Sequence, residues 1–363
     1  MAIVSGSRLR TALRVARQAL AIAAITLVLD YVATAVLFAH LKRAWSDADA
    51  ANLNAYISVP YHHDLRPDQD TTRLWGNALY PWRTDRYGFR TGTCAPGEAE
   101  KDRPAVFVIG DSFTEALGSS YEQSFAGLLA CDGARQGKAV WNLGVASYSP
   151  VIYHRKIRAA AERLNLRPAD IFVFLDLSDI DDDANVYRVA QNDDIEYADH
   201  YSSLLPFDIG TFLVNNFATF RLIHDLYLTS RLIHDASLGR HRARWTTDAG
   251  LMQKWGQRGL EAASANLDKL VAICHEWQCR VTLVVYPWPD NVATGDRESI
   301  QVRHWQGWAA ARGVRFIDGF APFFREPADT AMRKYFIAGD VHFTELGNRL
   351  LYEAVKSALG NNW

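Results

Sequence analysis

Three short segments carry residue types that together could perform nucleophilic chemistry on an ester. Ser112 follows the apolar run 105–109, in the stretch Ile-Gly-Asp-Ser-Phe. A serine at the junction of a strand and a helix lies beside backbone N–H groups that can bind a developing negative charge. Serine is also a common helix N-cap. Ser112 alone therefore fits either a nucleophile or a cap.

A general base is available near the C-terminus. A serine hydroxyl is a weak nucleophile at neutral pH and needs an adjacent base. His342 comes just before the last predicted helix, two residues after Asp340. We expect His342 to take the Ser112 proton, while Asp340 holds the imidazole tautomer and stabilises its cation.

A glycine after a second strand could complete an oxyanion site. Gly144 ends the stretch Val-Trp-Asn-Leu-Gly, and glycine lets the backbone approach a ligand closely. The amides of Ser112 and Gly144 would each stabilise an oxyanion by about 3 kcal/mol. This chemistry requires no cofactor and no metal ion, so we predict neither.

The elements that must position these residues alternate between short apolar runs and helical patterns. Near-continuous apolar strands separated by helices predict a parallel sheet covered on both faces, with its active site at the carboxyl ends of the strands. The predicted fold is flavodoxin-like, a three-layer α/β/α domain with a parallel five-stranded sheet. The predicted strands are Ala105–Ile109, Ala139–Leu143, Ile171–Leu175, Val281–Tyr286 and Val314–Ile317. The predicted helices are 121–130, 151–165, 258–277, 299–312 and 345–358.

The N-terminal residues 1–43 read as a short cytoplasmic segment and a membrane anchor. Asp30 is the only charged residue in the largely apolar run 19–39, and about 20 such residues cross a bilayer. No small-residue cleavage site follows the run, which argues against a cleaved signal peptide. The basic residues that precede it predict that the N-terminus is inside and the rest of the chain outside. These residues are Arg8, Arg10, Arg14 and Arg17.

Two further segments depart from the alternation. Residues 44–104 are expected to be an irregular approach to the catalytic domain 105–363. Residues 184–257 read as a helical insertion within that domain and as a surface for an envelope protein partner. The insertion repeats Arg-Leu-Ile-His-Asp at 221–225 and 231–235. Its two histidines would lie about 15 Å apart along a helix, which argues against a shared metal site.

Composition narrows the functional classes. The formal net charge of -2 gives no basic excess for nucleic acid. The four cysteines fit an oxidising compartment, and the absence of a CxxC pair disfavours zinc. Cys94 with Cys131, and Cys274 with Cys279, is the pairing we favour among three connectivities.

Taken together, these segments resemble the SGNH/GDSL hydrolase superfamily over residues 105 to about 358. Residues 110–113 match its first block, residues 142–144 its glycine block and residues 340–342 its terminal block. The resemblance implies Ser112 as nucleophile, Gly144 as oxyanion donor and His342 as base. Ser178 stands where the third block usually has an asparagine that donates to the oxyanion, so the resemblance makes Ser178 the candidate for a third donor. The acidic run 176–183 that contains it is expected to be a solvated loop, with a cation site as the alternative.

The Asp-x-His spacing is shorter than the usual Asp-x-x-His. It resembles a membrane-associated branch that acts on envelope polysaccharides and includes alginate O-acetyltransferase-like proteins. Residues 85–90 are also similar to membrane-anchored bacterial members. The expected function is therefore an inner-membrane, single-pass enzyme whose periplasmic or extracellular domain hydrolyses O-acyl esters of glycans or small molecules. The alternatives are an O-acetyltransferase and a non-catalytic envelope protein that binds a glycan or a partner.

Overall fold

The protein divides into two compact units, Met1–Ala50 with Ser203–Thr229, and Ala51–Ser202 with Ser230–Trp363. The computed structural model describes residues 6–37, 39, 54–75, 78–198, 212–214, 216–223, 226 and 242–360. The strands in these residues are β1 (Tyr56–Val59), β2 (His62–Leu65), β3 (Asp70–Trp75), β4 (Ala78–Arg83), β5 (Ala105–Ile109), β6 (Ala139–Asn142), β7 (Asp170–Leu175), β8 (Tyr187–Val189), β9 (Ile195–Tyr197), β10 (Arg280–Val285) and β11 (Arg315–Asp318).

Helices separate most of the strands. The α-helices are α1 (Gly6–Val36), α2 (Ser112–Glu115), α3 (Phe125–Arg135), α4 (Pro150–Leu164), α5 (Ser178–Asp181), α6 (Ala249–Leu251), α7 (Gln257–Trp277), α8 (Pro289–Thr294), α9 (Ile300–Arg312), α10 (Ala328–Tyr335) and α11 (Glu345–Leu359). Shorter 3-10 helices span Glu98–Glu100, Tyr121–Gln123, Arg244–Thr246 and Ala321–Phe324. The segments Asp182–Val186 and Met252–Gly256 are π-helical.

Five parallel strands form the central sheet in the order β11-β10-β7-β5-β6. Every residue of β5, β6 and β7 is buried, which explains why these strands are continuous apolar runs rather than alternating patterns. The predicted parallel five-stranded α/β fold is confirmed, and each predicted strand lies within one residue of the observed bounds. The carboxyl ends of β5, β6 and β7 meet at one edge of the sheet.

The segment before the sheet is more ordered than its sequence indicates. Two antiparallel hairpins, β1–β2 and β3–β4, occupy much of the stretch that we expected to be irregular. Their strands are four to six residues long and mix polar with aromatic residues, so no clear alternation marks them. Leu65 and Trp82 from these hairpins are fully buried in the same hydrophobic core as the sheet.

The start of the insertion 184–257 is a β-hairpin rather than the helix that we expected. Antiparallel strands β8 and β9 form a hairpin there. Residues 212–214 and 218–223 are helical, as expected. The histidines and aspartates of the repeat, at 224, 225, 234 and 235, lie outside the described residues.

The remaining expectations concern the first helix and the cysteines. Helix α1 contains a 24-residue stretch, Leu13–Val36, with a mean hydropathy of 2.1, long and apolar enough to cross a membrane. Disulfides join Cys94 to Cys131 and Cys274 to Cys279, which confirms the favoured pairing.

Candidate active site

Ser112 occupies the first turn of α2, directly beyond β5. A Cβ atom at Gly110 would lie 2.1 Å from Oγ1 of Thr114 and 2.8 Å from the carbonyl oxygen of Phe174, so only glycine fits this turn. The N-cap of α2 is Asp111, whose Oδ1 accepts a hydrogen bond from the Phe113 amide at 3.0 Å. Ser112 therefore does not serve as the cap, and its hydroxyl is available for other contacts.

The structure brings the three predicted catalytic side chains together. Nε2 of His342 lies 2.8 Å from Oγ of Ser112. On the other side of the ring, Nδ1 of His342 lies 2.5 Å from Oδ1 of Asp340. This chain of contacts joins residues 230 positions apart, and it has the geometry that a hydroxyl, a general base and an orienting carboxylate require.

The two-residue spacing of Asp340 and His342 is explained by a local turn. Oδ1 of Asp340 also accepts a hydrogen bond from the backbone N–H of His342, at 2.8 Å. An aspartate that bonds to the amide two residues later forms an Asx turn. One carboxylate oxygen can therefore bind both the backbone and the ring of His342, and the short spacing is sufficient.

Trp75, at the end of β3, is a contact that the sequence did not predict. Its Nε1–H donates to Oδ2 of Asp340 at 3.0 Å, and its ring packs edge-on against His342 with 5.0 Å between centroids. Phe113 packs against His342 as well, at 4.7 Å. The hairpin β3–β4 thus helps to orient both Asp340 and His342.

Gly144 and Ser178 have other hydrogen-bond partners and do not fill the predicted oxyanion role. The Gly144 amide donates to Oδ1 of Asn142 at 2.9 Å. The glycine is required for packing, because a Cβ there would lie 2.5 Å from the Thr114 side chain. The Ser178 hydroxyl donates to Oδ1 of Asp176 at 2.8 Å. Both expectations are corrected by this geometry.

The backbone amide of Ser147 is another candidate donor. Ser147 is exposed and has a left-handed φ of 62°, a conformation that is uncommon outside glycine. Within the described part of the chain, neither the Ser112 nor the Ser147 amide has a backbone or side-chain acceptor. No sequence signal distinguishes Ser147, because serine is not typical of this conformation.

The peptide group between Ala146 and Ser147 is held by the N-terminal hairpins. The carbonyl oxygen of Ala146 lies 2.8 Å from Nε2 of His63 on β2. Because a trans peptide is planar, this contact directs the Ser147 N–H away from His63. Nδ1 of His63 lies 2.6 Å from Nδ1 of His62, and burial lowers the pKa of both rings. A neutral His63 that donates from Nε2 and accepts at Nδ1 satisfies both contacts.

Glu115 holds the same loop from the other side. Its Oε2 accepts the Ala146 amide hydrogen at 2.7 Å. Its Oε1 forms a buried ion pair with Arg73 at 2.8 Å and accepts from Trp82 Nε1 at 3.2 Å. The Tyr56 hydroxyl also donates to Glu115, at 3.2 Å. Glu115 therefore links β1, β3 and β4 to the loop that carries Ser147.

A cluster of buried carboxyl groups lies beneath Ser112. One oxygen each of Asp111, Asp176 and Asp179 lies within 4.8 Å of the others, and these residues could hold a cation. Burial and the charge of Asp176 raise the pKa of Asp111, and burial and both neighbours raise that of Asp179. These raised pKa values favour the protonated, neutral forms of Asp111 and Asp179. A neutral Asp111 is a weaker acceptor than a carboxylate, so it competes less with His342 for the Ser112 proton.

The acidic run that contains two of these residues is not the solvated loop that we expected. Asp176 and Asp179 are fully buried, and Asp182 is 2% exposed. Protein donors fill much of this site: Tyr153 donates to Asp179, and Trp288 Nε1 donates to Asp176 at 2.8 Å. These donors come from α4 and from the residue before α8, far from the run in sequence.

Several solved esterase and hydrolase structures are similar to this chain, but at low identity. A GDSL-like lipase from Bacteroides thetaiotaomicron has 12% identity and a TM-score of 0.36, over 73% of this chain and 90% of its own. An acetylxylan esterase from Geobacillus stearothermophilus has 15% identity and a TM-score of 0.38, over 71% of this chain and 94% of its own. An α/β hydrolase from the metagenome of Lake Arreo, Spain, has 14% identity and a TM-score of 0.42, over 75% of this chain and 100% of its own. No protein-family model and no curated protein match this chain. At such TM-scores these similarities carry no argument about activity.

Proposed function

We propose that this protein is a serine ester hydrolase of the SGNH/GDSL type that acts on O-acyl esters. The observation that carries the proposal is the continuous contact from Ser112 Oγ through the His342 ring to Asp340. A nucleophile, a base and an orienter at hydrogen-bonding distance form the arrangement used for acyl transfer.

The proposed reaction has two steps. His342 takes the proton of Ser112, whose oxygen attacks the ester carbonyl and forms a tetrahedral oxyanion. The amides of Ser112 and Ser147 bind this oxyanion. His342 then gives its proton to the departing alcohol, leaving an acyl-serine ester. In the second step His342 activates water, which attacks the acyl-serine, releases the carboxylic acid and restores Ser112.

Two features support a position outside the cytoplasm. Helix α1 is apolar enough to span a membrane, and both cysteine pairs form disulfides, which persist in oxidising compartments. With the basic residues before the span, this supports a single-pass inner-membrane protein with its N-terminus inside. We further propose acetylated envelope or exported glycans as substrates, on the resemblance of the Asp-x-His block. Protease digestion of intact spheroplasts would test the orientation, because an external domain would be cleaved.

The activity is tested with the full chain in detergent and a chromogenic acetyl ester. Ser112→Ala and His342→Gln should each lower kcat by on the order of 10⁴-fold or more. Ser120→Ala, which removes a hydroxyl that donates to Gln123 Oε1, is the matched control and should keep full activity. A fluorophosphonate probe should label the wild type and Ser120→Ala, but not Ser112→Ala.

Three outcomes would contradict parts of this proposal. Equal turnover by the wild type and Ser112→Ala would exclude the serine mechanism. Turnover only in the presence of a sugar acceptor would identify an O-acyltransferase instead of a hydrolase. No turnover and no labelling, in a protein that binds acetylated glycans, would identify a binding protein.

A further inference from the structure

Asp30, the acidic residue of the apolar helix α1, has a specific partner in the insertion. The carboxylate of Asp30 accepts the backbone N–H of Thr219, at 3.2 Å from Oδ2 and 3.4 Å from Oδ1. Oγ1 of Thr34, one helical turn later, accepts the N–H of Ala218 at 2.8 Å. These amides begin the helical residues 218–223, where N–H groups have no partner within their own helix. Helix α1 thus caps a second helical segment with two of its side chains.

Packing around these hydrogen bonds shows that the contact is more than a pair of polar groups. The rings of Tyr31 and Phe217 lie 5.7 Å apart between centroids, and Thr34 is only 1% exposed. Phe217 also contacts Phe220, at 5.7 Å. Both segments belong to the same compact unit of the chain. The insertion and α1 therefore share a small apolar interface centred on the Asp30 contact.

The insertion segment also carries exposed apolar residues. Four large hydrophobic residues within 15 positions are 55–58% exposed: Phe212, Leu222, Ile223 and Leu226. All four are in helical conformation. Among the described residues of the other unit, exposed large hydrophobics are sparser: Leu79 and Leu346 stand alone, and Val189 and Tyr197 lie on the β8–β9 hairpin. Single exposed residues are normal on a protein surface, whereas a cluster marks a contact.

We propose that the described residues of this segment, 212–214, 216–223 and 226, form a second membrane-contacting element, docked on α1 through Asp30 and Thr34, with Phe212, Leu222, Ile223 and Leu226 against lipid acyl chains. The cluster belongs to the same compact unit as the exposed apolar surface of α1, which favours lipid over a protein partner as its occupant. A charged residue within a span costs about 2.5–3.5 kcal/mol on insertion scales. The amide of Thr219 offsets part of this cost by pairing with Asp30.

The contact with lipid can be measured on the full chain by site-specific labelling. All four native cysteines are in disulfides, so a single introduced thiol takes the fluorophore. The variants are Leu222→Cys and Leu226→Cys, with Leu29→Cys in α1 as the lipid reference and Leu346→Cys as the water reference. Each is reconstituted into phosphatidylcholine vesicles that contain nitroxide-labelled acyl chains, and aqueous iodide is the second quencher.

We expect the labels at 222 and 226 to be quenched by the nitroxide lipids to within twofold of the label at 29. Iodide should quench them several-fold less than the label at 346. Iodide quenching equal to that at 346 would overturn the proposal. Protection from both quenchers would also overturn it, because that result indicates a protein partner.

A second set of variants tests the docking on α1. Asp30→Leu removes the acceptor and leaves the Thr219 amide unpaired, so iodide quenching at position 222 should rise several-fold. Asp30→Asn keeps an acceptor oxygen and should retain the wild-type pattern. Unchanged quenching in Asp30→Leu would refute the capping role of Asp30. None of these measurements depends on esterase activity, so their failure is distinct from that of the proposed function.

Discussion

Glu115 offers the sharpest test of how the N-terminal hairpins support the active site. Its side chain is fully buried and that of Arg73 is 4% exposed, so the ion pair between them is screened from water. Glu115→Gln keeps the shape of the side chain but removes the charge that pairs with the Arg73 guanidinium. Removing one partner of a buried ion pair costs about 3–5 kcal/mol. The Gln amide would also place an NH2 group among donors from Tyr56, Trp82 and Ala146.

This loss of stability is large enough to measure by thermal unfolding. For a domain of this size, 1 kcal/mol corresponds to a shift in Tm of about 2–3 °C, so Glu115→Gln should lower Tm by roughly 6–15 °C. Circular dichroism of the full chain in detergent gives the transition. Glu162→Gln, an exposed glutamate on α4, is the control and should change stability by about 0.5 kcal/mol or less.

A double variant separates the buried charge from the packing. Arg73→Met with Glu115→Gln removes the cation as well as the carboxylate and should recover at least about 2 kcal/mol of the loss. Below its Tm, Glu115→Gln should also lower kcat, because the Ala146 amide loses its acceptor and the adjacent Ser147 amide moves. A loss of less than about 1 kcal/mol in Glu115→Gln would show that the ion pair behaves like an exposed one, and would refute the reasoning.

Further predictions concern the orienting contacts, the protonation of a buried ring and the disulfides. Trp75→Phe keeps a ring against His342 but removes the hydrogen bond to the catalytic aspartate, so kcat should fall about tenfold with little change in KM. His63→Phe removes the hydrogen bond to the Ala146 carbonyl, which holds the peptide group that carries the Ser147 N–H. It should lower kcat by up to about 10²–10³-fold in steady-state assays, and an unchanged kcat would refute that link. Burial and the neighbouring Arg155 lower the pKa of His154 to about 3. The neutral His154 therefore contributes its full stabilisation above its usual pKa of about 6.5, and this contribution is lost as the pH falls towards 3. In urea titrations, the free energy of unfolding of the wild type should fall between pH 8 and pH 5 by about 2 kcal/mol more than that of His154→Gln. The Cys94–Cys131 disulfide closes a loop with a sequence separation of 37. Replacing both cysteines by serine should lower the free energy of unfolding by about 3–4 kcal/mol on the chain-entropy scale.

The sheet and the catalytic side chains were predictable because local patterns encode them. The strand Ala105–Ile109 is an apolar run bounded by turn residues, and it is buried on both faces as such runs require. Ser112 and His342 were found because their residue types and neighbours match a known arrangement. Ser112 follows β5 directly, whereas His342 lies in the loop between α10 and α11, so the sheet alone does not fix the distance between them.

The supporting contacts could not be predicted, for two physical reasons. Trp75 and Asp340 are separated by 265 positions, and nothing in either local sequence indicates the other. Ser147 depends on a left-handed backbone conformation that residue type does not specify for serine. The prediction of a solvated loop at 176–183 was wrong because aspartates normally face water, whereas here donors distant in sequence bind Asp176 and Asp179 in the core.

The burial of the hairpins in the core of the sheet changes where the chain can be truncated. A fragment that starts at Ala105 keeps all five sheet strands, Ser112, Asp340 and His342. It would expose the core surface that Leu65 and Trp82 now cover, and it would lack the indole that donates to Asp340. A truncated domain should therefore start before Tyr56, because the hairpins belong to the same folded core as the sheet.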